Sequence, residues 1–514
     1  MNPTSSRLED RNKSFQRSVD ESDIRRERED KQVELRKKKR IENYVKRSRL
    51  ISELSENIPE EFSRVSEILC NLDSSLSDPN QNPYTKIVNL SKLILHSQDV
   101  KVVQAGLEQL RKFVSTENRK SLEVLATTDL IQKFPDYLSS PDPDTKFNTC
   151  WIITNLSSVD NPQILQRLSS SNIIPSLGKL AIEDEIREYN TQAIWALSNF
   201  AGDSKSYRDQ VYTTGVFAST IRKINTNRSL ELNNLSLFVW LISNLFKFSP
   251  VPDESMVKSF LDILPKFLMM NQEMVLVDTL RCLFYLTIEG ARLAEVFSTS
   301  MVSRIIHLCV HDSHLIREKA LKVVANLSYS DEVYTRYLID NKLLDYLAML
   351  LDSEKSKIVQ DALLIISNVA ANKAYSVVVT GMQLFKVVMK KVASHDREIR
   401  NEALIAVRVC LQSRESVVGV IEKDLIDDIV AIIRFSDPET IFNALELLET
   451  ILKLAAKEGL PAALNVFYES GGVEALDRLQ SHPNEKIYNK ALEIYHEFIE
   501  DQNLAMDPVY ETNN

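Results

Sequence analysis

Glycine is scarce in this sequence, with 10 residues in 514. Neither a G-x-G-x-x-G fingerprint nor a Walker-type lysine loop is present, so a phosphate-cradling glycine loop is excluded. The same scarcity argues against a fold built on tight β-turns. Long apolar runs are also missing. No stretch approaches the ~18 residues of a membrane span, and the N-terminus is too polar for a signal peptide. The five cysteines, Cys70, Cys150, Cys282, Cys309 and Cys410, lie far apart and form no C-x-x-C. Buried thiols in a reduced compartment are the simple reading. No Ser/His/Asp or Cys/His constellation points to an enzyme. His307, His311 and His314 follow i, i+4, i+7 spacing around Cys309, but Asp312-Ser313 between them reads as an inter-helix turn. No metal and no cofactor are expected.

Hydrophobic content of 44% and charged content of 26% fit an ordinary folded protein. The net charge of −10 hides an asymmetry: residues 1–50 carry +6 and the remainder −16. Nucleic acid would favour the arm and be repelled by the body. A basic arm on an acidic body predicts instead that the arm docks on its own body, or that the body takes another protein's basic segment. Residues 1–21 read as disordered. Asp23–Arg49 reads as a charged helix with a thin apolar stripe, which orders on a partner.

From about Lys86 the pattern is helical and repetitive. Trp-x-x-x-Asn occurs three times, at Trp151/Asn155, Trp195/Asn199 and Trp240/Asn244, with Trp-to-Trp steps of 44 and 45 residues. A four-residue step puts each pair on one helix face. A period of ~40–47 residues matches stacked armadillo or HEAT repeats. With the Asn as phase marker, equivalent positions fall at Arg111, Asn155, Asn199, Asn244, Tyr285, Asn326, Asn368, Arg408, Thr450 and Glu497. A small residue recurs six positions earlier, at Ala105, Ala320, Ala362, Ala444 and Ala491, where neighbouring helices must approach closely. About ten repeats follow, each stabilised by its neighbours. The fold class is all-α: a right-handed superhelical solenoid over residues 86–500. It is preceded by the basic arm (1–50) and a linker and cap (51–85), and followed by a tail (501–514).

A single Trp in such a repeat reads as well as core packing. Three in register, each with Asn one turn later, favour a ligand-facing ladder, because Asn is a poor core neighbour. Indole faces hold aliphatic stems with a cation at the tip. Carboxamides bond a peptide backbone through both donor and acceptor. The groove so formed reads an extended Lys/Arg-rich peptide.

Three stretches resemble the importin alpha family, the adaptors for nuclear-localisation signals. Arg11–Phe15 with Ile24–Arg28 and Val33–Arg40 is similar to the family's importin-beta-binding segment. Gln192-Ala-Ile-Trp-Ala-Leu-Ser-Asn-Phe-Ala-Gly-Asp-Ser204 is close to its third repeat. Gly471–Leu476 with Leu479–Tyr488 is similar to its last repeat. The resemblance implies a major signal site at Trp151, Asn155, Gln192, Trp195, Asn199, Asp203, Trp240, Asn244, Lys247 and Asp278, with Asp203 pairing with the signal's deepest lysine. It implies importin beta and basic cargo as partners. The arm residues carrying the importin-beta-binding and self-inhibitory role are Arg25, Arg26, Arg28, Arg36, Lys37, Lys38, Lys39, Arg40, Lys46, Arg47 and Arg49. It further implies an export receptor with a small GTPase, acting near Gly471–Glu500, and shuttling between cytoplasm and nucleus. No nucleic acid and no membrane insertion are expected.

The sequence also departs from the family pattern. Asn155 is followed by Leu-Ser-Ser-Val-Asp-Asn-Pro where the family has a small Gly/Thr shelf. In the minor site the Trp positions are Leu364 and Leu404, and the last Asn is Arg408, which adds repulsion to a cationic peptide. Tyr285, Lys322, Asn326, Asp361 and Asn368 remain. A working major site and a weak minor one are expected. Ser48 splits the Lys46–Arg49 cluster, which weakens self-inhibition. The rivals are an armadillo scaffold of the catenin kind and a specialised import paralogue with a restricted cargo set.

Overall fold

The computed structural model describes residues 81–115, 119–159, 161–227, 230–250, 253–288, 299–330, 332–411, 418 and 423–500. The basic arm, most of the linker and the tail after Glu500 lie outside these residues. All regular structure among the described residues is helical. They fall into two compact units, divided between Asn227 and Arg228.

Most repeats contain two shorter helices and one long helix that carries the phase marker. The long helices of the first unit are α1 (Val100–Val114), α2 (Pro143–Ser157) and α3 (Glu188–Asp203). Those of the second are α4 (Leu232–Phe246), α5 (Glu273–Ile288), α6 (His314–Ser330), α7 (Ser356–Ala370), α8 (Arg397–Cys410), α9 (Pro438–Lys457) and α10 (Glu485–Tyr495). Within each unit every long helix packs on the next: α1 on α2 and α2 on α3, then α4 through α10 in order.

The sequence starts these helices with recognisable caps. In Asp142-Pro143-Asp144-Thr145, the Thr145 amide and hydroxyl both donate to Asp142 Oδ2, at 2.7 and 2.6 Å. Asp437-Pro438-Glu439-Thr440 repeats the device: the Thr440 hydroxyl donates to Asp437 Oδ2 at 2.6 Å. Pro at the first helical position costs nothing, since its missing N–H has no partner there in any helix. Asp99, Asp396 and Asn484 cap α1, α8 and α10 through side-chain oxygens. Each such cap contributes ~1 kcal/mol.

In four repeats the corner between the two short helices is made by a residue at positive φ. Gly215 (φ 78°) and Gly471 (φ 70°) supply it where glycine is used. Asn172 (φ 57°) and Lys342 (φ 63°) hold the same corner in other repeats. This is how a chain so poor in glycine makes so many sharp turns.

Long helices in the middle of a stack are covered on two sides by neighbouring repeats. Buried residues therefore run almost all the way round α5, which packs on both α4 and α6. The recurring alanines Ala105, Ala320, Ala362, Ala444 and Ala491 are all buried at the helix contacts, as their spacing predicts. Cys150, Cys282, Cys309 and Cys410 are buried thiols, also as expected. Burial raises the Cys150, Cys282 and Cys309 thiols well above the ordinary range. Among the described residues no helix is long and apolar enough to cross a membrane.

Candidate functional site

In the first unit α2 and α3 lie side by side and bring two Trp/Asn pairs together. Asn199 on α3 donates through Nδ2 to the Thr154 carbonyl (3.2 Å) and to Ser157 Oγ (3.0 Å), both on α2. The second unit repeats this contact twice. Asn326 on α6 reaches the Phe284 carbonyl (3.2 Å) and Thr287 Oγ1 (2.8 Å) on α5. Asn368 on α7 reaches the Ala325 carbonyl (3.2 Å) and Ser328 Oγ (3.2 Å) on α6. Each of these three amides is thus a staple to the preceding repeat, closing on a carbonyl and on a hydroxyl three residues later. Asn155 makes an irregular version with the Val114 carbonyl and Ser115 Oγ, both at 3.4 Å.

This arrangement differs from the expectation that the carboxamides offer both donor and acceptor to a peptide. In Asn199, Asn326 and Asn368 the donor already serves the fold. The staple fixes the amide plane of each of these side chains through its donor. Sequence reasoning missed the hydroxyl partner. Its signal was present: Ser157, Thr287 and Ser328 each stand two residues after a phase marker.

The indoles are not equivalent. Trp195 is 8% exposed and presents only a small part of its ring. Trp151 and Trp240 are half-buried. Trp151 Nε1 donates to Ser115 Oγ at 3.1 Å, and its ring meets Phe147 edge-on at 5.5 Å. Gln192 is buried, and its backbone carbonyl accepts from Thr154 Oγ1 at 3.1 Å. Asp203, the last residue of α3, is half-buried. Burial, and secondarily the Asp203 charge, raises the Tyr207 hydroxyl, which places the carboxylate beside that ring.

The remaining major-site residues lie in the second unit. Asn244 is fully buried on α4. Lys247 follows α4, with Nζ 4.8 Å from the centre of the Phe248 ring. Asp278, expected as an acidic wall residue, is 1% exposed, and its Oδ1 accepts from Arg281 Nη1 at 2.8 Å. A wall role requires that pair to open.

Two of the residues expected in a minor site, Lys322 and Asp361, belong to a partly buried charge cluster. Lys322 and Lys319 lie 3.0 and 3.2 Å from Glu318 Oε1. Burial works to raise the Glu318 carboxyl, but the Lys319 and Lys322 ammoniums outweigh it and hold it at about 2. Burial raises Asp361, against the pull of Lys357 at 3.4 Å and of Lys322. Asn326 and Tyr285 are buried, Asn368 and Leu364 are half-buried, and Leu404 is fully buried. Arg408, expected to repel a cationic peptide, is ion-paired across to Glu446 on α9, which offsets its charge.

The histidines have separate tasks. His307 Nδ1 meets the Tyr346 hydroxyl at 3.2 Å, while His311 Nδ1 accepts from the Ser313 amide at 3.0 Å in the turn before α6. Among the described residues no group of three His, Cys, Asp or Glu side chains is placed to hold a metal. The arm residues Arg25, Arg26, Arg28, Arg36, Lys37, Lys38, Lys39, Arg40, Lys46, Arg47 and Arg49 lie outside the described residues.

Comparison with known proteins covers both ends of the chain and its whole length. Residues 11–105 match the importin beta binding domain, and residues 464–509 match the atypical Arm repeat. Importin subunit alpha-1a of Oryza sativa subsp. japonica is 28% identical over 509 residues, covering 95% of this chain and 92% of the relative. Importin subunit alpha-4 of Arabidopsis thaliana is 28% identical over 512 residues, covering 95% and 91%. Among solved structures, an engineered protein superposes with a TM-score of 0.69 at 17% identity, covering 81% of this chain and 99% of its own. A structure from a study of the cadherin and beta-catenin interaction superposes at 0.62 and 11% identity, covering 82% and 88%. These two likenesses show the armadillo-type all-helical fold.

Proposed function

We infer that this chain, which belongs with the importin alpha subunits it matches along 95% of its length, is an adaptor that binds basic nuclear-localisation signals and links them to importin beta. One observation carries this reading: an importin beta binding domain is joined, in one chain, to helical repeats that present Trp and Asn one turn apart. The activity is binding and not catalysis.

The signal lies extended against the long helices. Lys and Arg stems rest on the indoles. Oδ1 of the half-buried Asn199 accepts from a peptide N–H group, and Asn155, which is buried, does so only once uncovered. Asp203 supplies the carboxylate for the most deeply inserted lysine. On α4 the half-buried Trp240 offers the same indole chemistry, whereas Asn244 is fully buried and takes part only once uncovered. Of the wall residues expected beside them, Lys247 repels surplus positive charge, and Asp278 acts only through its pair with Arg281. The minor site is weak for a physical reason. Leu364 offers dispersion but no cation–π attraction, and Leu404 is buried, at a loss of ~0.5–2 kcal/mol per pair. The basic arm competes for the acidic groove until importin beta takes it, so importin beta raises cargo affinity. An export receptor with a small GTPase completes the cycle at the last repeats, and the protein shuttles between cytoplasm and nucleus.

The test is fluorescence anisotropy with a Lys/Arg-rich signal peptide against the full chain, the chain lacking residues 1–50, and an Asp203→Lys variant of each. The adaptor reading expects tight binding by the truncated chain, weaker binding by the full chain and loss in the variant. Absence of binding by the truncated chain sinks it.

A further inference from the structure

Gln192, Asp278 and Asp361 each stand seven residues before a phase marker, at positions 199, 285 and 368. Seven residues is about two helical turns, so these side chains share the marker stripe, two turns nearer the start of the helix. The same register falls on Asn401 in α8 and Asn443 in α9, before the markers Arg408 and Thr450. Here the two side chains meet: Asn443 Nδ2 donates to Asn401 Oδ1 at 3.2 Å. Asn401 is 7% exposed and Asn443 is half-buried. Each carboxamide carries two N–H groups and a carbonyl with two lone pairs. This single bond therefore leaves Asn401 Nδ2 and Asn443 Oδ1, one donor and one acceptor, without a partner among the described residues. The charges beside the pair are engaged. Arg408, two turns along α8, is ion-paired to Glu446, one turn past Asn443 on α9. Arg400 turns its Nη1 to the Ser394 carbonyl at 3.0 Å. Leu404, between Asn401 and Arg408 at the aromatic position, is fully buried.

We propose that Asn401 and Asn443 clamp the main chain of an extended, uncharged segment of bound cargo: Asn443 Oδ1 accepts from a peptide N–H, and Asn401 Nδ2 donates to a peptide carbonyl. Asn199, Asn326 and Asn368 cannot give this two-sided recognition, because their donors tie one repeat to the next. At the junction of α8 and α9 the amides tie the repeats to each other and still keep one group of each kind. Binding supplies partners to polar groups that the fold leaves without them, so it satisfies these groups and displaces no protein bond. A Lys or Arg side chain is not favoured at this place. The junction has no indole, and its carboxylate, Glu446, is engaged by Arg408. The clamp reads backbone, and small neutral side chains suit it.

This rests on the adaptor reading, and the experiment separates the two. Anisotropy against the full chain compares three peptides: a basic core alone, the core with a Gly/Ser/Ala extension, and the core with the same extension carrying a Lys-Arg pair at its far end. The extension is about 15 residues long, enough to pass four helix spacings of ~10 Å at ~3.3 Å per residue, and is placed at either end of the core. In one orientation the neutral extension should tighten binding about five-fold, as one net hydrogen bond allows, and the Lys-Arg extension should do no better. N-methylation walked along the extension should cancel the gain at one amide, where exchange of Ala for Ser changes nothing. Asn443→Ala, which removes the acceptor, and Asn401→Ala, which removes the donor, should each abolish the gain and leave the affinity of the core alone unchanged. Thermal unfolding of both variants checks that the fold is intact. If no extension gains affinity, if the gain survives in both variants, or if the Lys-Arg extension gains more than the neutral one, the clamp is overturned and the adaptor reading stands. If the core alone does not bind, the adaptor reading fails and this inference with it.

Discussion

The Asn199 amide and the Ser157 hydroxyl, 42 residues apart in sequence, are joined by a 3.0 Å hydrogen bond that ties α3 to α2. The same amide also reaches the Thr154 carbonyl. Asn199→Ala therefore removes a structural bond together with a peptide acceptor. It should lower stability by ~1–2 kcal/mol, because buried groups on α2 lose their donor. Ser157→Ala should cost ~1 kcal/mol and leave peptide affinity within about two-fold. Urea titration beside anisotropy separates the roles. If Asn199→Ala weakens binding with no change in the unfolding midpoint, the staple contributes nothing.

Glu318 makes stability depend on acid. Its carboxyl is held at about 2, below the ordinary 4.5, so its contribution is fully present above pH 4.5 and is lost as the pH falls towards 2. Glu318→Gln should cost ~1–3 kcal/mol at neutral pH and flatten the stability curve over that interval. Thermal melts at half-unit steps from pH 6 to 3 test it. Parallel curves for wild type and variant contradict it.

Lys342 sits in the left-handed region at φ 63°, at a corner where other repeats use glycine. The side chain there costs ~1–2 kcal/mol, partly offset in any glycine variant by the extra freedom of the unfolded chain. Lys342→Gly should raise stability by ~0.5–1 kcal/mol. The same change at Val216, one residue past the Gly215 corner and inside a helix, should destabilise. Denaturant midpoints decide the sign.

Asp278 and Arg281 form a pair that is nearly excluded from solvent. Removing one partner breaks a buried ion pair, so Asp278→Ala should lose ~3–5 kcal/mol. Replacing both, as Asp278→Leu with Arg281→Met, should recover much of that loss. If Asp278 acts chiefly as a groove wall, the single change will weaken peptide binding and leave the unfolding midpoint in place.

The repeat architecture was legible in sequence because it rests on spacing: the 44- and 45-residue Trp steps and the alanines six residues before several of the markers. The cap of α2 was equally open to reading, since Asp-Pro-x-Thr carries its own chemistry. The site was legible in its residue types but not in its wiring. Nothing local to Asn199 says that its donor is spent on residues 42 and 45 positions earlier. Burial of Trp195 was hidden too, because it depends on tertiary packing and not on local sequence. Arg408 read as a lone positive charge until Glu446, 38 residues on, was placed beside it.

The staples bear on how a groove of this kind can lose its ligand without losing its shape. The side chain at position 364 is only half-buried, so a change there carries little structural cost, whereas the asparagine one turn on, Asn368, is a rivet between repeats. Binding capacity can then decay while the asparagine row stays intact, held by foldability alone. A count of marker asparagines in such a chain measures how many repeat junctions are fastened, and the aromatic positions measure how many are still in use.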